Sequence, residues 1–345
     1  MIICCYRLLA RLMVKALPFC AVLLVGNYTM AQDPVFSQFY AAPLELNPAF
    51  TGGTEGGKIG LNYRNQWPRL NQAYVTYSAS YDQFFPFISS GFGISVLADN
   101  AGRGLYKTTD VSLYYAYVLR VDQTLQIRFG LEAGIINSRV DWSRLIFLDQ
   151  IDPEFGPISP GGLPYPSEEV PPETGTSLSV FDISMGLLVF NETFYGGLAL
   201  KHMNAPEFSF LKINTDLTGT GLPMRVSAHG GAEFDLLSLG RRGSVFVAPG
   251  IQYIRQGDFS QLNIGTIFRY DKVGTGVWYR HTSTNPDALI FMLEGRQDQF
   301  RVAYSYDMTL SGLGDTGGAH EVSFIVNFDY GSSESKYNDC FNLFR

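Results

Sequence analysis

Residues 124–136 alternate without interruption. Leu125, Ile127, Phe129, Leu131, Ala133 and Ile135 fall on one face, and Gln126, Arg128, Gly130, Glu132 and Gly134 on the other. A period of two over this length predicts a β-strand with one apolar and one polar side. Residues 300–308 repeat the pattern, with Phe300, Val302, Tyr304, Tyr306 and Met308 opposite Arg301, Ser305 and Asp307. Residues 224–234 set Val226, Ala228, Ala232 and Phe234 against Arg225, Ser227, His229 and Glu233. Similar segments fall at 58–64, 73–81, 90–98, 109–119, 178–190, 193–202, 243–254, 261–270, 273–281, 288–295 and 320–330, bringing the total to about 14. A strand that crosses a bilayer needs roughly 9–11 residues and alternates lipid-facing with lumen-facing side chains. The pattern therefore predicts an all-β fold, a transmembrane antiparallel β-barrel over residues 58–330.

The connections carry a second signal. Counted in order, the odd ones include 99–108, 137–177, 203–223 and 309–319, whereas the even ones include the two-residue turns Asn191-Glu192 and Asp271-Lys272. Outer-membrane barrels have short periplasmic turns and longer outer loops. An even strand count then places both termini in the periplasm. Loop 137–177 is rich in proline and acid, which opposes β-pairing and predicts a solvated segment. Its carboxylates lack the spacing of a calcium loop. Loop 203–223 offers Phe208, Phe210 and Leu211 as an outer partner surface, or as packing against the rim.

Residues 1–31 read as a secretory leader, with Arg7, Arg11 and Lys15 ahead of an apolar run and Thr29-Met30-Ala31 at the cleavage position. Phe19 before Cys20 argues against a lipoprotein signal. Cleavage leaves one cysteine, Cys340, so no internal disulfide forms. It also removes three of the 25 basic residues and none of the 32 acids, taking the net charge from −7 to −10. An acidic chain without a basic cluster is not a nucleic-acid binder.

The polar faces place Arg64, Arg128, Glu132, Asp182, Arg225, Glu233, Arg269, Arg280, Arg301, Asp307 and Glu321 in the lumen. Charges of both signs predict a cross-linked or filled interior, because an isolated charge there is unfavourable. Residues 32–57 precede the first strand and carry Phe36, Phe39, Tyr40, Leu44, Leu46 and Phe50 outside any strand. Such groups must bury, either in the lumen as a plug or against a partner. Residues 331–345 form a periplasmic tail.

No chemistry of an enzyme emerges. Gly52–Lys58 matches a phosphate-binding loop in spacing, but Ile59 stands where Ser or Thr binds magnesium and a strand follows instead of a helix. His202, His229, His281 and His320 share no motif with a nucleophile or acid, and His229 near Arg225 and Glu233 is expected in a hydrogen-bonded structural role. No catalytic residue, cofactor or metal ligand is assigned.

Both ends carry a resemblance. Gln32, Asp33, Pro34, Phe36, Ser37, Gln38 and Phe39, followed by Asn47, Pro48, Ala49 and Gly52, resemble the opening of the PorP/SprF family. Tyr63-Arg64-Asn65-Gln66-Trp67 is similar to its next element. Ser305-Tyr306-Asp307 with Gly318-Ala319-His320-Glu321-Val322-Ser323 resembles its closing signature, with Ala319 where the family has Ser. The tail Asp339-Cys340-Phe341-Asn342 keeps a cysteine but departs from the family's Cys-Pro form. The resemblance implies a fatty-acid-transporter-type barrel in the outer membrane of a Gram-negative bacterium. It implies a role in type IX secretion and gliding motility, delivering or anchoring a secreted adhesin through its C-terminal domain, or contacting periplasmic ring lipoproteins. Phe36, Gln38, Phe39, Tyr40, Asn47, Pro48 and Phe50 are then a partner or plug motif, and Gly318, His320 and Glu321 a C-terminal signature. The alternative is a passive channel for a hydrophobic or small polar solute.

Overall fold

Fifteen strands follow one another in the chain: β1 (Gly57–Gln66), β2 (Tyr74–Phe85), β3 (Ser90–Ala101), β4 (Tyr106–Arg120), β5 (Gln126–Val140), β6 (Ser177–Phe190), β7 (Phe194–Lys201), β8 (Arg225–Ala232), β9 (Phe234–Ser238), β10 (Ser244–Gln256), β11 (Phe259–Tyr270), β12 (Val273–Thr282), β13 (Pro286–Gln297), β14 (Phe300–Thr309) and β15 (Ala319–Phe328). They belong to a computed structural model that describes residues 32–345 except 55, 71–72, 123, 173–174, 211–220, 239–243, 284–285, 313, 329–343 and 345. The leader expected at 1–31 and most of the tail expected at 331–345 lie outside the described residues.

Apart from β8 and β9, consecutive strands pair antiparallel, and the ring closes where β1 pairs with β15, from Gly57↔Phe328 to Gln66↔Ala319. β8 and β9 both pair with β10, at Gln256↔Arg225 to Gly250↔Gly231 and at Val247↔Phe234 to Ser244↔Ser238. They are one stave interrupted at Glu233, so the closed barrel has 14 staves. Closure leaves no unpaired edge, which a barrel in lipid requires.

The alternation sorts as the sequence predicts, with the sense of burial inverted relative to a soluble protein. Leu113, Leu131 and Ile135 point outward, 61%, 52% and 57% exposed, while Arg128, Glu132 and Ser112 of the same strands are buried in the lumen. Among the described residues no helix is long and apolar enough to cross a membrane. Strands do the crossing.

The connections separate into a long-loop rim and a short-turn rim. The first carries 67–73, 141–176, 202–224 and 310–318, the second 86–89, 191–193, 271–272 and 298–299. One expected loop is shorter than its sequence suggests. Residues 99–108 narrow to a turn at 102–105, because β3 and β4 continue with Asp99↔Thr108 and Asn100↔Lys107 in register. Polar side chains hid those rows from an apolar-alternation pattern. Segment 141–176 is folded on itself rather than simply solvated: the Asp149 carboxylate accepts from the Ser167 hydroxyl and, at 2.7 Å, from the Glu168 N–H. The Glu168 N–H, with the Ser167 hydroxyl behind it, holds the Asp149 carboxyl below the usual carboxylate range.

Candidate functional site: the N-terminal segment in the lumen

The segment ahead of β1 runs through the barrel. Asp33 sits at the long-loop rim, where its carboxylate meets His202 Nε2 at 2.8 Å and Arg225 Nη1 at 3.3 Å, and its N–H donates to Gln256 Oε1 at 3.0 Å. The chain then descends to Gly57 at the short-turn rim. The described chain therefore starts at the rim opposite to the end of β15, whereas an even strand count alone puts both ends on one side. A traversing segment, which strand counting cannot register, makes the difference.

Local sequence shapes this path. Pro43 occupies the first turn of a short helix, α1 (Pro43–Leu46), where its fixed φ and missing N–H suit the position. Asn47 ends α1 and caps the 3-10 turn Pro48–Phe50, its Oδ1 accepting from the Ala49 N–H at 2.9 Å. The other half of that amide donates to the carbonyls of Leu187 and Leu198, at 3.0 and 3.2 Å. These two residues face each other across β6 and β7. Asn47 is completely buried and ties the segment to the wall with both ends of one side chain.

Two glycines make room for this turn. A Cβ on Gly130 would overlap the backbone of Pro48 and Ala49, and one on Gly186 would overlap Asn47 Oδ1. Each stands where the segment approaches the wall too closely for a side chain, its backbone at Gly130 and the Asn47 amide at Gly186.

Above the turn, Ser37 and Gln38 enter a cluster built from both ends of the chain. The Glu321 carboxylate accepts from the N–H groups of Ser37 (2.8 Å) and Gln38 (2.9 Å) and pairs with Arg64 at 3.0 Å. Asp307 Oδ2 pairs with Arg64 (3.1 Å) and Arg280 (2.8 Å) and accepts the Ser37 hydroxyl at 2.6 Å. Both arginines in turn donate to Ser37 Oγ, at 2.5 and 2.6 Å. Gln38 Nε2 donates to Ser305 Oγ and to the Glu321 carbonyl, each at 3.1 Å. Two cations balance two anions, and the bonds to Ser37 spread over all four. Such a network is stable when complete and fragile when one member is missing.

The apolar groups of the segment fill the remaining lumen. Phe39 packs edge-on against Trp278 at 5.0 Å, the Tyr40 hydroxyl donates to the Met292 sulfur, and Arg301 lies over the Tyr40 ring. Phe36 clusters with Ala42 and Leu97. Phe50 stacks at 4.4 Å on Phe344, from the far end of the chain, and lies beside His229 at 5.5 Å.

A second ionic group escaped sequence reasoning. Lys201 bridges Glu45 of α1 and Glu132 of β5, at 3.3 Å to each. His202, just past the end of β7, sits between Asp33 and Asp182. Burial disfavours its charge, but the two carboxylates outweigh burial and push its pKa up to about 9. Lumen-facing Glu132 and Asp182 were legible from alternation. The segment carboxylates that share their cations were not, because nothing local sets Glu45 beside Lys201 or Asp33 beside His202.

The family profile of the type IX secretion system membrane protein PorP/SprF spans residues 29–326. The chain belongs to the PorP/SprF family. No curated protein matches it. Solved barrels are similar at low identity. The TodX deltaS2S3 mutant, a monoaromatic hydrocarbon channel, aligns over 83% of this chain and 94% of its own at 11% identity and TM-score 0.48. A Pseudomonas aeruginosa FadL homologue aligns over 82% and 93% at 10% identity and TM-score 0.37. Omp33 of Acinetobacter baumannii aligns over 81% and 100% at 6% identity and TM-score 0.43. The strand pairing, rather than these likenesses, establishes the barrel.

The PorP/SprF signature residues divide into those inside and those at the rim. Phe36, Gln38, Phe39, Tyr40, Asn47, Pro48, Phe50 and Glu321 are all buried within the barrel. His320 faces outward and accepts or donates at 2.8 Å with the Tyr304 hydroxyl. Gly318 has φ +67°, its carbonyl accepts from the Trp67 N–H at 2.7 Å, and a Cβ there would strike the Asp307 carbonyl. Phe208 and Phe210 are half-buried, and Phe210 packs edge-on against Tyr106 at the rim. Leu211 lies outside the described residues.

One expectation needs correction. His229 makes no hydrogen bond from either ring nitrogen among the described residues; it is an aromatic filler beside Phe50, in space left by Gly197. Lys58, last residue of the phosphate-loop-like run, is the second residue of β1, as the strand expected there requires, and faces Asp82 at 3.6 Å.

Proposed function

We propose that this PorP/SprF barrel is a non-enzymatic outer-membrane accessory of type IX secretion that delivers or anchors an adhesin-like exported protein at the cell surface, with its long-loop rim outside. Residues 1–31 act as a cleaved leader, and periplasmic ring lipoproteins are a further partner class. One observation carries the reading. The lumen is occupied by residues 33–54, held by the Ser37–Asp307–Glu321–Arg64–Arg280 network and by Asn47. A filled and ion-paired interior opposes passive passage of a solute for as long as the segment stays in place. A barrel that serves as a membrane fixture for another protein needs no open path.

The test is affinity purification of the intact barrel from solubilised outer membrane, with co-purifying proteins identified by mass spectrometry. A large secreted adhesin or ring subunits in stoichiometric amount support the proposal. A barrel that elutes alone and conducts ions in planar bilayers, with residues 33–56 in place, overturns it in favour of a channel.

A further inference from the structure

Segment 141–176 is ordered without a core of its own. It leaves the wall beyond the last β5–β6 rung, Arg139↔Ser177. Its base is tied to the long-loop rim, where the Asp141 N–H donates to the Leu105 carbonyl at 2.8 Å and Arg144 Nη1 to the Arg103 carbonyl at 3.0 Å. Two arms then run out and back, linked across. Gln150 Oε1 accepts from the Phe147 N–H at 2.9 Å and its Nε2 donates to the Tyr165 carbonyl at 2.7 Å, while Asp149 holds Ser167 and Glu168. Asp152 bridges to Gly156, and the Ser159 N–H donates to the Leu163 carbonyl at 2.8 Å.

This order has no apolar burial behind it. None of the described residues of 141–176 is buried. Fixing a backbone costs about 1–2 kcal/mol per residue, and hydrogen bonds return about 1 kcal/mol each. Burial normally supplies the rest, and the side chains for it are present but uncovered. Leu148, Val170 and Leu163 are 88%, 75% and 70% exposed, and Ile146, Phe155 and Ile158 are each more than half exposed. The bilayer covers the outward side chains of the strands, but this segment lies past the strand ends. Apolar groups gathered on one folded segment, rather than scattered singly, mark a contact surface.

Charge selects the occupant. Seven acids and a single arginine fall within 141–176. Asp149 and Asp152 spend their carboxylates on the segment's own turns. The Glu154, Glu168 and Glu169 carboxylates make no hydrogen bond or ion pair among the described residues, so they are free to pair outward. Such a face repels an anionic lipid surface, and equally a second copy of this acidic chain. It complements a protein surface that is apolar at its centre and basic around it.

We propose that segment 141–176 is the docking surface of the barrel, and that its occupant is an exported protein presenting an apolar patch surrounded by Lys and Arg. The proposal rests on the reading of the long-loop rim as the outer, partner-facing side.

The test begins with the full-length chain in the outer membrane of the cells that make it. A photo-crosslinking amino acid replaces Leu148, Leu163 or Val170 in turn, with Leu131 on the lipid face as control, and adducts are identified by mass spectrometry. One exported protein is expected at all three segment positions and not at Leu131. Its affinity for the purified barrel should fall by roughly tenfold or more in the triple variant Leu148→Ser, Leu163→Ser, Val170→Ser. In Glu168→Gln, Glu169→Gln the binding should lose part of its salt sensitivity. All five positions are exposed, so heat-modifiable migration of the barrel is retained. Adducts only to lipopolysaccharide or to a second copy, or no adduct, overturn the inference. So does an affinity unchanged in the triple variant, or a salt dependence unchanged in the glutamine variant. An exported protein that co-purifies equally with the native chain and the triple variant moves the docking surface elsewhere and leaves the secretion-linked reading standing. Absence of any exported protein from both overturns the two together.

Discussion

Ser37 and Asp307 are separated by 270 residues in the chain, yet the serine hydroxyl donates to the aspartate at 2.6 Å. One residue belongs to the opening motif and the other to the closing signature. Their contact explains in physical terms why both ends of the sequence carry a recognisable pattern while the middle carries only alternation. The two motifs are halves of one lumenal lock.

Removing the small member of that lock should loosen it without opening the barrel. Ser37→Ala removes one of the donors to Asp307 Oδ2 and one acceptor from each of Arg64 and Arg280, a loss of about 1–3 kcal/mol. The expected result is a lower melting temperature in detergent and faster proteolysis of residues 33–56, with heat-modifiable migration of the barrel retained. Unchanged protease resistance refutes the lock.

The charges should be more sensitive than the hydroxyl. Asp307→Ala takes the carboxylate partner from buried Arg280 and leaves Arg64 with Glu321, and loss of one partner of a buried pair destabilises by about 3–5 kcal/mol. The double variant Asp307→Ala, Arg64→Ala should lose less than the sum of its parts. Additive losses in that cycle contradict direct coupling.

Steric room can be tested apart from charge. Gly130→Val puts a side chain where Pro48 and Ala49 lie. It should expel the segment turn and expose Asn47, measured as accelerated hydrogen exchange over residues 44–52. A substitution pointing the other way, Leu131→Val on the outer face, should leave exchange there as it is.

A pH effect follows from His202. Its folded pKa, about 9, exceeds the ordinary value of about 6.5, so the contribution of its charge is complete below about 6.5 and is lost as pH rises through about 9. Asp33 should then be held by Arg225 alone, with Lys201 close by and Asp182 unpaired. Proteolysis near Asp33 should accelerate between pH 8 and 10 in the native chain, and His202→Gln should show the fast rate already at neutral pH. A flat profile in both would exclude the histidine as a tie.

How much was legible beforehand differs by feature. Leu125 to Ile135 declared both their strand and its lipid face, because a period of two is a local property that needs no partner. The side of each charge was equally plain: Arg64, Glu132, Asp307 and Glu321 stand in the lumen as their alternation requires. The extent of β3 and β4 was less so, since Asp99 and Asn100 interrupt the apolar pattern while keeping their hydrogen bonds.

By itself, then, the sequence determined the strands, their faces, the two kinds of rim and the family, all of which rest on neighbours within a dozen residues. Only the tertiary structure decided that β1 meets β15, that the opening segment threads the lumen from the long-loop rim, and that Ser37, Arg64, Arg280, Asp307 and Glu321 form one network. The reason is ring closure. Once the ends of the sheet pair, residues far apart along the chain are fixed at one height inside the barrel, and no periodicity in the chain records which of them will face each other.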